Sequence, residues 1–202
     1  MILNKFEFVS MNNPLKALLQ EYIEVKEFRK SSLLPEMQKV LEIGCGNGWG
    51  TKLIKKYFNP SEIEAVDLDP KMISIAQKNN KDRTINFSVA DATTLPFKDK
   101  SFDAIFDFGI IHHIPDWEKC LVELKRVLKP GGELLIEDGS IETFTLTPFG
   151  KILKNILAHP YKEMYTRPEF VEYLKSIGFS VTKYRLHKPL GIASYFTLVA
   201  HK

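Results

Sequence analysis

Residues 40 to 50 read Val-Leu-Glu-Ile-Gly-Cys-Gly-Asn-Gly-Trp-Gly, and the reading of this stretch decides the fold. An apolar run carries one acid, Glu42, and glycines then fall at 44, 46, 48 and 50 ahead of an amphipathic segment. Each missing Cβ removes a steric barrier, so such a turn lets main chain come close to a ligand. A dinucleotide fingerprint G-x-G-x-x-G begun at Gly44 needs glycine at position 49, where Trp49 stands. The turn therefore suits a nucleoside-type cofactor rather than a pyrophosphate.

Outward from this turn, short apolar runs alternate with helical patterns from about residue 38 to 140, the signature of a parallel α/β sheet. Strands are expected at Val40–Ile43, Glu62–Asp67, Ile85–Val89, Asp103–Phe108 and Glu133–Asp138. Between them, helices are expected at Trp49–Phe58, at Lys71–Asn79 behind the cap Asp69 and Pro70, and from Pro115 to Leu128, stopped by Lys-Pro-Gly-Gly at 129–132. Upstream, Pro14 to Ser32 reads as a helix with Leu15, Leu18, Leu19, Tyr22, Ile23, Val25 and Phe28 on roughly one face. Downstream, 139–166 is an insertion with a short helix near Phe149–Leu157. A helix over Arg167–Ile177 ends at Gly178, and two segments, Ser180–Leu186 and Ser194–Ala200, pair antiparallel to complete the sheet. This divides a single expected domain into a helical cap (1–36), a core (37–138), a lid insertion (139–166) and a C-terminal helix with hairpin (167–202).

Composition bounds the rest. The 202 residues suffice for one layered core, and 44% hydrophobic with 26% charged residues is ordinary for a globular protein. The apolar runs are too short to span a bilayer, and no secretory h-region is evident, so a cytoplasmic location is expected. Cys45 and Cys120 have neither metal-ligand nor disulfide spacing, so reduced thiols and no metal site are expected. Net charge is +3, distributed as +3 over residues 1–60, −5 over 61–140 and +5 over 141–202. An acidic middle favours a cationic cofactor, while the dilute basic tail is no nucleic-acid arm.

Three acids fall at the carboxyl ends of successive expected strands, where open α/β sheets bind ligands. Glu42 precedes the turn. Asp67 follows at the distance of a carboxylate that accepts from ribose hydroxyls. Asp91 follows the third strand, where it could accept from an exocyclic amine. In correct order with the glycine turn, the three form one signal.

On these residues the chain resembles the class I S-adenosylmethionine-dependent methyltransferases, within the broad group containing the ubiquinone and menaquinone biosynthesis enzymes. Glu-Ile-Gly-Cys-Gly-Asn-Gly (42–48) is similar to that superfamily's first motif and Val-Asp-Leu-Asp-Pro (66–70) to its second. Ala-Asp-Ala-Thr-Thr-Leu-Pro-Phe (90–97), Ser-Phe-Asp-Ala (101–104), Ile-His-His-Ile (111–114) and Val-Leu-Lys-Pro-Gly-Gly (127–132) continue the pattern. The resemblance implies a Rossmann-like three-layer α/β sandwich with a seven-stranded, mostly parallel sheet and one antiparallel strand. It implies S-adenosylmethionine as cofactor, lined by Gly44, Cys45, Gly46 and Gly48. Glu42 would orient the turn, Asp67 take the ribose, Leu68 pack on the adenine, Asp91 accept from its amine and Ala92 lie beside the ring.

Methyl transfer from a sulfonium is an in-line displacement, so alignment and exclusion of water dominate. A base is required only where the acceptor carries a proton, and His112, His113 and Asp107 are the candidates, with Glu137 behind them. The Asn-Pro-Pro-Tyr motif of amino-methylating nucleic-acid enzymes is replaced by Phe-Gly-Ile-Ile (108–111). The expected acceptor is a small, partly apolar molecule, with the insertion as lid and pocket wall. The alternatives are a protein or RNA methyltransferase, against which the charge pattern stands, and a non-catalytic S-adenosylmethionine-binding protein. An NAD oxidoreductase is disfavoured by Trp49. Contact of a basic helix face with a membrane surface is disfavoured by the shortness of the insertion's helix.

Overall fold

The computed structural model describes residues 21, 25–146, 148–154, 156, 159–188 and 194–202. Seven strands form one sheet: β1 (Lys39–Ile43), β2 (Glu62–Asp67), β3 (Ile85–Val89), β4 (Phe102–Phe108), β5 (Leu128–Asp138), β6 (Ser180–His187) and β7 (Tyr195–His201). Their order is β3-β2-β1-β4-β5-β7-β6, with β7 antiparallel to both neighbours and the pairings from β3 to β5 parallel. Parallel strands need crossovers, and the helices that provide them cover the two faces.

Alternation along the strands separates two cores. Leu41, Leu134 and Ile136 join a layer with Leu121 and Leu124 of α4 (Trp117–Val127) and Phe170 and Leu174 of α7 (Arg167–Ser176). On the other face, Val40, Phe106 and Leu135 pack with Phe28 of α1 (Lys26–Ser31), Leu53 and Ile54 of α2 (Trp49–Phe58) and Ile73 of α3 (Pro70–Asn79). The expected three-layer sandwich with one reversed strand is thus observed. Asp69 caps α3 by accepting from Lys71 N at 2.8 Å, and Pro70 opens the helix, as its fixed φ favours. Gly178 takes φ +90° just beyond α7.

Several boundaries differ from expectation. The fourth helix begins at Trp117 rather than Pro115, because Asp116 supplies the first helical carbonyl, to Cys120 N. Lys129–Gly132 does not separate helix from strand. β5 starts at Leu128, which pairs with Phe102 of β4 ahead of a register break before Ala104, and Gly131 N donates to Lys202 O and Lys202 N to Gly132 O on its other side. Where one helix is expected near Phe149–Leu157, two short ones form, α5 (Ile141–Thr145) and α6 (Pro148–Leu153). Pro148 has no N–H to continue α5 and is suited to open α6. The part of the expected N-terminal helix before Val25 lies outside the described residues, apart from Glu21.

Candidate active site

Because β1 to β5 run parallel, their carboxyl ends share one edge, and β1 and β4 meet at the point where the strand order reverses. There the glycine turn adopts a backbone that only glycine takes readily: Gly44, Gly46 and Gly48 have φ of +62°, +52° and +80°. A Cβ on Gly44 would come within 2.5 Å of the Ile110 side chain from the loop after β4. The turn and that loop are therefore in direct contact.

The N–H groups of the turn are largely engaged within the protein. Cys45 N donates to Val66 O at 2.9 Å, Gly46 N to Asp67 Oδ2 at 2.9 Å, Gly48 N to Cys45 O at 2.9 Å and Trp49 N to Asn47 Oδ1 at 3.0 Å. A phosphate cradle needs such groups free to face the anion. What this edge offers instead is acidic and apolar. Asp67 accepts from Gly46 N and, through Oδ1, from Asp69 N at 2.9 Å. A carboxylate has about four lone-pair directions, so two remain for a vicinal diol. Leu68, the next residue, is 45% exposed, an apolar surface left at the site's rim. Asp91 is exposed, closes a turn by accepting from Thr93 N at 2.8 Å, and has Ala92 beside it packed against the core. This donor set fits a cationic nucleoside such as S-adenosylmethionine, with carboxylates for hydroxyls and an amine and an apolar face for a base.

Glu42 and Cys45 lie deeper. Glu42 is buried under Gly50 and accepts from the Thr51 hydroxyl. Burial pushes its carboxyl up to about 8, against the pull of the Thr51 bond. Burial likewise raises the Cys45 thiol, with Glu42 and Asp67 adding to the shift, which keeps it protonated and unreactive.

The histidine pair lies on the short 3₁₀ turn Ile111–His113 after β4. Asp138, at the end of β5 and fully buried, holds it. His112 Nδ1 bonds Asp138 Oδ1, and His112 N donates to Asp138 Oδ2 at 3.0 Å. The Tyr165 hydroxyl also donates to Oδ2, at 2.7 Å, and Gly139 N to Oδ1 at 2.6 Å. Tyr165 is itself wedged against Trp117 and Phe170, at ring centroids of 5.2 and 4.4 Å. With Nδ1 held by a carboxylate, Nε2 is the nitrogen His112 can offer to chemistry.

Asp107 is almost fully buried, its Oδ1 accepting from Ile110 N at 3.0 Å. Burial first, and then the Asp138 carboxylate, drive it well above the ordinary range, which favours the protonated form. In that state it can accept no further proton as a base. Glu137 is also buried, and its Oε2 lies 3.7 Å from where a Cβ on Gly109 would sit.

Described residues of the 139–166 segment lie against the histidines. His159 lies 5.1 Å from His112 and 4.3 Å from His113 between ring centroids, with Phe144 at 4.8 Å and Tyr161 at 5.5 Å from His159. Leu146, Ile152 and Ile156 of the same segment are left exposed to water. Asp138, Tyr165 and His159 are the members of this edge that the sequence reading did not single out.

Comparison with known proteins agrees with this geometry. Residues 41–136 match a family described as methyltransferase domain. A fatty-acid O-methyltransferase of Mycolicibacterium smegmatis is 36% identical over 103 residues, 51% of this chain and 38% of that protein. A phthiotriol/phenolphthiotriol dimycocerosates methyltransferase of Mycobacterium tuberculosis is 30% identical over 151 residues, 73% of this chain and 53% of that protein. The chain thus spans about half or less of the length of these relatives. Among solved structures, a SAM-dependent methyltransferase from Aquifex aeolicus superposes with a TM-score of 0.71 at 23% identity, covering 98% of this chain and 97% of that one. At that identity the superposition bears on the fold alone. The match thus identifies residues 41–136 as a methyltransferase domain, and the sheet order, the glycine turn and the acids that follow it are those of the class I S-adenosylmethionine-dependent fold.

Proposed function

We propose that this chain binds S-adenosylmethionine at the carboxyl edge of β1, β2 and β3 and transfers its methyl group to an oxygen of an apolar, lipid-like acceptor. The observation that carries this reading is the carboxylate-held imidazole of His112 on the same edge as Asp67 and the glycine turn. The bound sulfonium supplies an already activated methyl group. Asp67 holds the ribose hydroxyls, Leu68 covers one face of the adenine, Asp91 accepts from its amine, and Gly44, Cys45, Gly46 and Gly48 line the remainder. Asp138 fixes the ring of His112, so that Nε2 accepts the proton of an acceptor hydroxyl as the oxygen attacks, whereas a carboxylate acceptor is already ionised and attacks without a base. Phe144 and Tyr161 shield this point from water. Leu146, Ile152 and Ile156 offer an apolar wall to an acyl chain.

The names of the relatives, a fatty-acid and a phthiotriol lipid methyltransferase, support an acyl acceptor. An apolar acceptor is shared with the finer resemblance to the ubiquinone and menaquinone biosynthesis group, and the relatives' names favour the acyl lipid over the quinone. Among the described residues no helix is long and apolar enough to cross a membrane, and the helices described in the segment carrying the apolar wall, α5 and α6, have five and six residues. Entry of single lipid molecules fits this better than insertion into a bilayer. The test is incubation of the protein with S-adenosylmethionine and, separately, fatty acids, hydroxylated lipids, a quinol, RNA and peptides, with mass spectrometry of the products. S-adenosylhomocysteine and a methyl ester or ether of an acyl lipid are expected. Methylation confined to RNA or peptide would overturn the reading.

A further inference from the structure

Three of the five histidines of this chain, His112, His113 and His159, meet at one point. A ligating nitrogen from each lies within 4.8 Å of the others, and the rings stand 4.1 to 5.1 Å apart. A tetrahedral zinc with bonds of about 2.0–2.1 Å holds its nitrogens about 3.4 Å apart, so closure needs movements of the order of 1 Å. Two histidines sit on the rigid turn after β4, and the third comes from the 139–166 segment over it. The geometry points to a three-histidine site for a divalent first-row transition metal, zinc above all, with one coordination position open.

The surroundings of the cluster fit a metal. The bond from Asp138 to His112 Nδ1 is the carboxylate–histidine pairing that sets the tautomer of a ligating imidazole and directs Nε2 to the metal. Tyr165 and Gly139 in turn fix that carboxylate. Imidazole-only ligation favours zinc, copper or nickel over magnesium or calcium. Two of the rings are partly exposed and the third is buried. A metal on Nε2 of His112 would take the lone pair assigned to the proton. An acceptor oxygen on the open position would then lose its proton to solvent under the metal's charge. The site rests on the histidines alone and stands whether or not the methyl-transfer reading does.

The test uses untagged full-length protein stripped with a chelator, titrated with Zn²⁺ by calorimetry and with Co²⁺ by visible spectroscopy. One equivalent of each is expected to bind, with the absorption bands of tetrahedral cobalt. His159→Gln should weaken binding at least tenfold, and His201→Gln should leave it unchanged. Thermal unfolding checks that the variants are folded. In the wild-type protein, Zn²⁺ should slow carbethoxylation of His112 and His159, mapped by peptide mass, but not that of His201. Absence of a saturable equivalent, or binding within tenfold of wild type in folded His159→Gln, would overturn the site. So would carbethoxylation of His112 and His159 at an unchanged rate in the presence of zinc.

Discussion

The hydroxyl of Tyr165 lies 2.7 Å from Oδ2 of Asp138, the carboxylate that also holds the ring of His112. A residue near the end of the 139–166 segment is thereby tied to the base of the histidine turn. Tyr165→Phe keeps the packing against Trp117 and Phe170 and removes only this bond. Asp138 keeps its bonds from His112 N and Gly139 N, so the stability loss should be about 1.5–2 kcal/mol, the lower part of the range for bonds to charged groups. Urea unfolding measures it. Affinity for S-adenosylmethionine should not change, and turnover should fall with the orientation of His112; a weakened cofactor affinity with intact turnover would contradict this assignment.

Gly50 tests the packing under the turn. Its φ is not in the left-handed region, and alanine is favoured over glycine within a helix by about 1 kcal/mol. An added Cβ would nevertheless collide with Glu42 Oε1 and stand 2.8 Å from Phe108 Cδ2. Glu42 is buried and tethered by Thr51, so it cannot swing away, and overpacking costs about 1–3 kcal/mol. Gly50→Ala should therefore be destabilising despite its propensity, read as a lower urea midpoint. An unchanged or higher midpoint would show that Glu42 gives way.

Asp67 has two roles, and a pair of variants separates them. Asp67→Ala loses the bonds from Gly46 N and Asp69 N as well as those proposed to the ribose, and should weaken S-adenosylmethionine binding by about 1.5–3 kcal/mol, roughly tenfold or more. Asp67→Asn retains an acceptor oxygen and should lose less. Calorimetry on both folded variants decides; equal, wild-type affinities would remove Asp67 from the cofactor site.

Glu42 gives the fold a pH dependence of defined sign. Its carboxyl titrates at about 8 in the folded chain against an ordinary 4.5. Below 4.5 both states hold the proton and stability is undiminished. From there to about 8 the unfolded chain has released a proton that the fold retains, so stability falls as pH rises, by up to about 1.4 kcal/mol per pH unit. Glu42→Gln has no proton to lose. Its stability relative to wild type should climb between pH 5 and 8 and level off above, in urea unfolding at a series of pH values. Parallel profiles for the two proteins would rule this out.

The local parts of the site were legible in the sequence. Glu42, the glycines, Asp67 and Asp91 are each fixed by the end of one strand and its following turn, so spacing alone places them. The strand alternation that makes two cores is likewise written in period. What spacing could not show depends on tertiary meeting. Asp138 reaches His112 across 26 residues and Tyr165 reaches Asp138 across 27. Adjacent strand residues face opposite sides, so choosing between Glu137 and Asp138 required the observed register. His159 stood alone in an apolar insertion, with no partner at ligand spacing, and only the folding-back of 139–166 brings it to the other two. The extension of β5 back to Leu128 rests on its pairing with Phe102 of β4 and on the bonds between Lys202 and Gly131–Gly132, and no local pattern announces it.

The central claim, that the glycine turn and Asp67 receive a methyl-donating nucleoside rather than a dinucleotide, is tested most directly by calorimetric titration of the wild-type protein. S-adenosylmethionine and NAD would be titrated separately under the same conditions. One equivalent of S-adenosylmethionine should bind, the affinity should drop in Asp67→Ala, and NAD should give no saturable heat. Saturable binding of NAD without binding of S-adenosylmethionine would contradict the account.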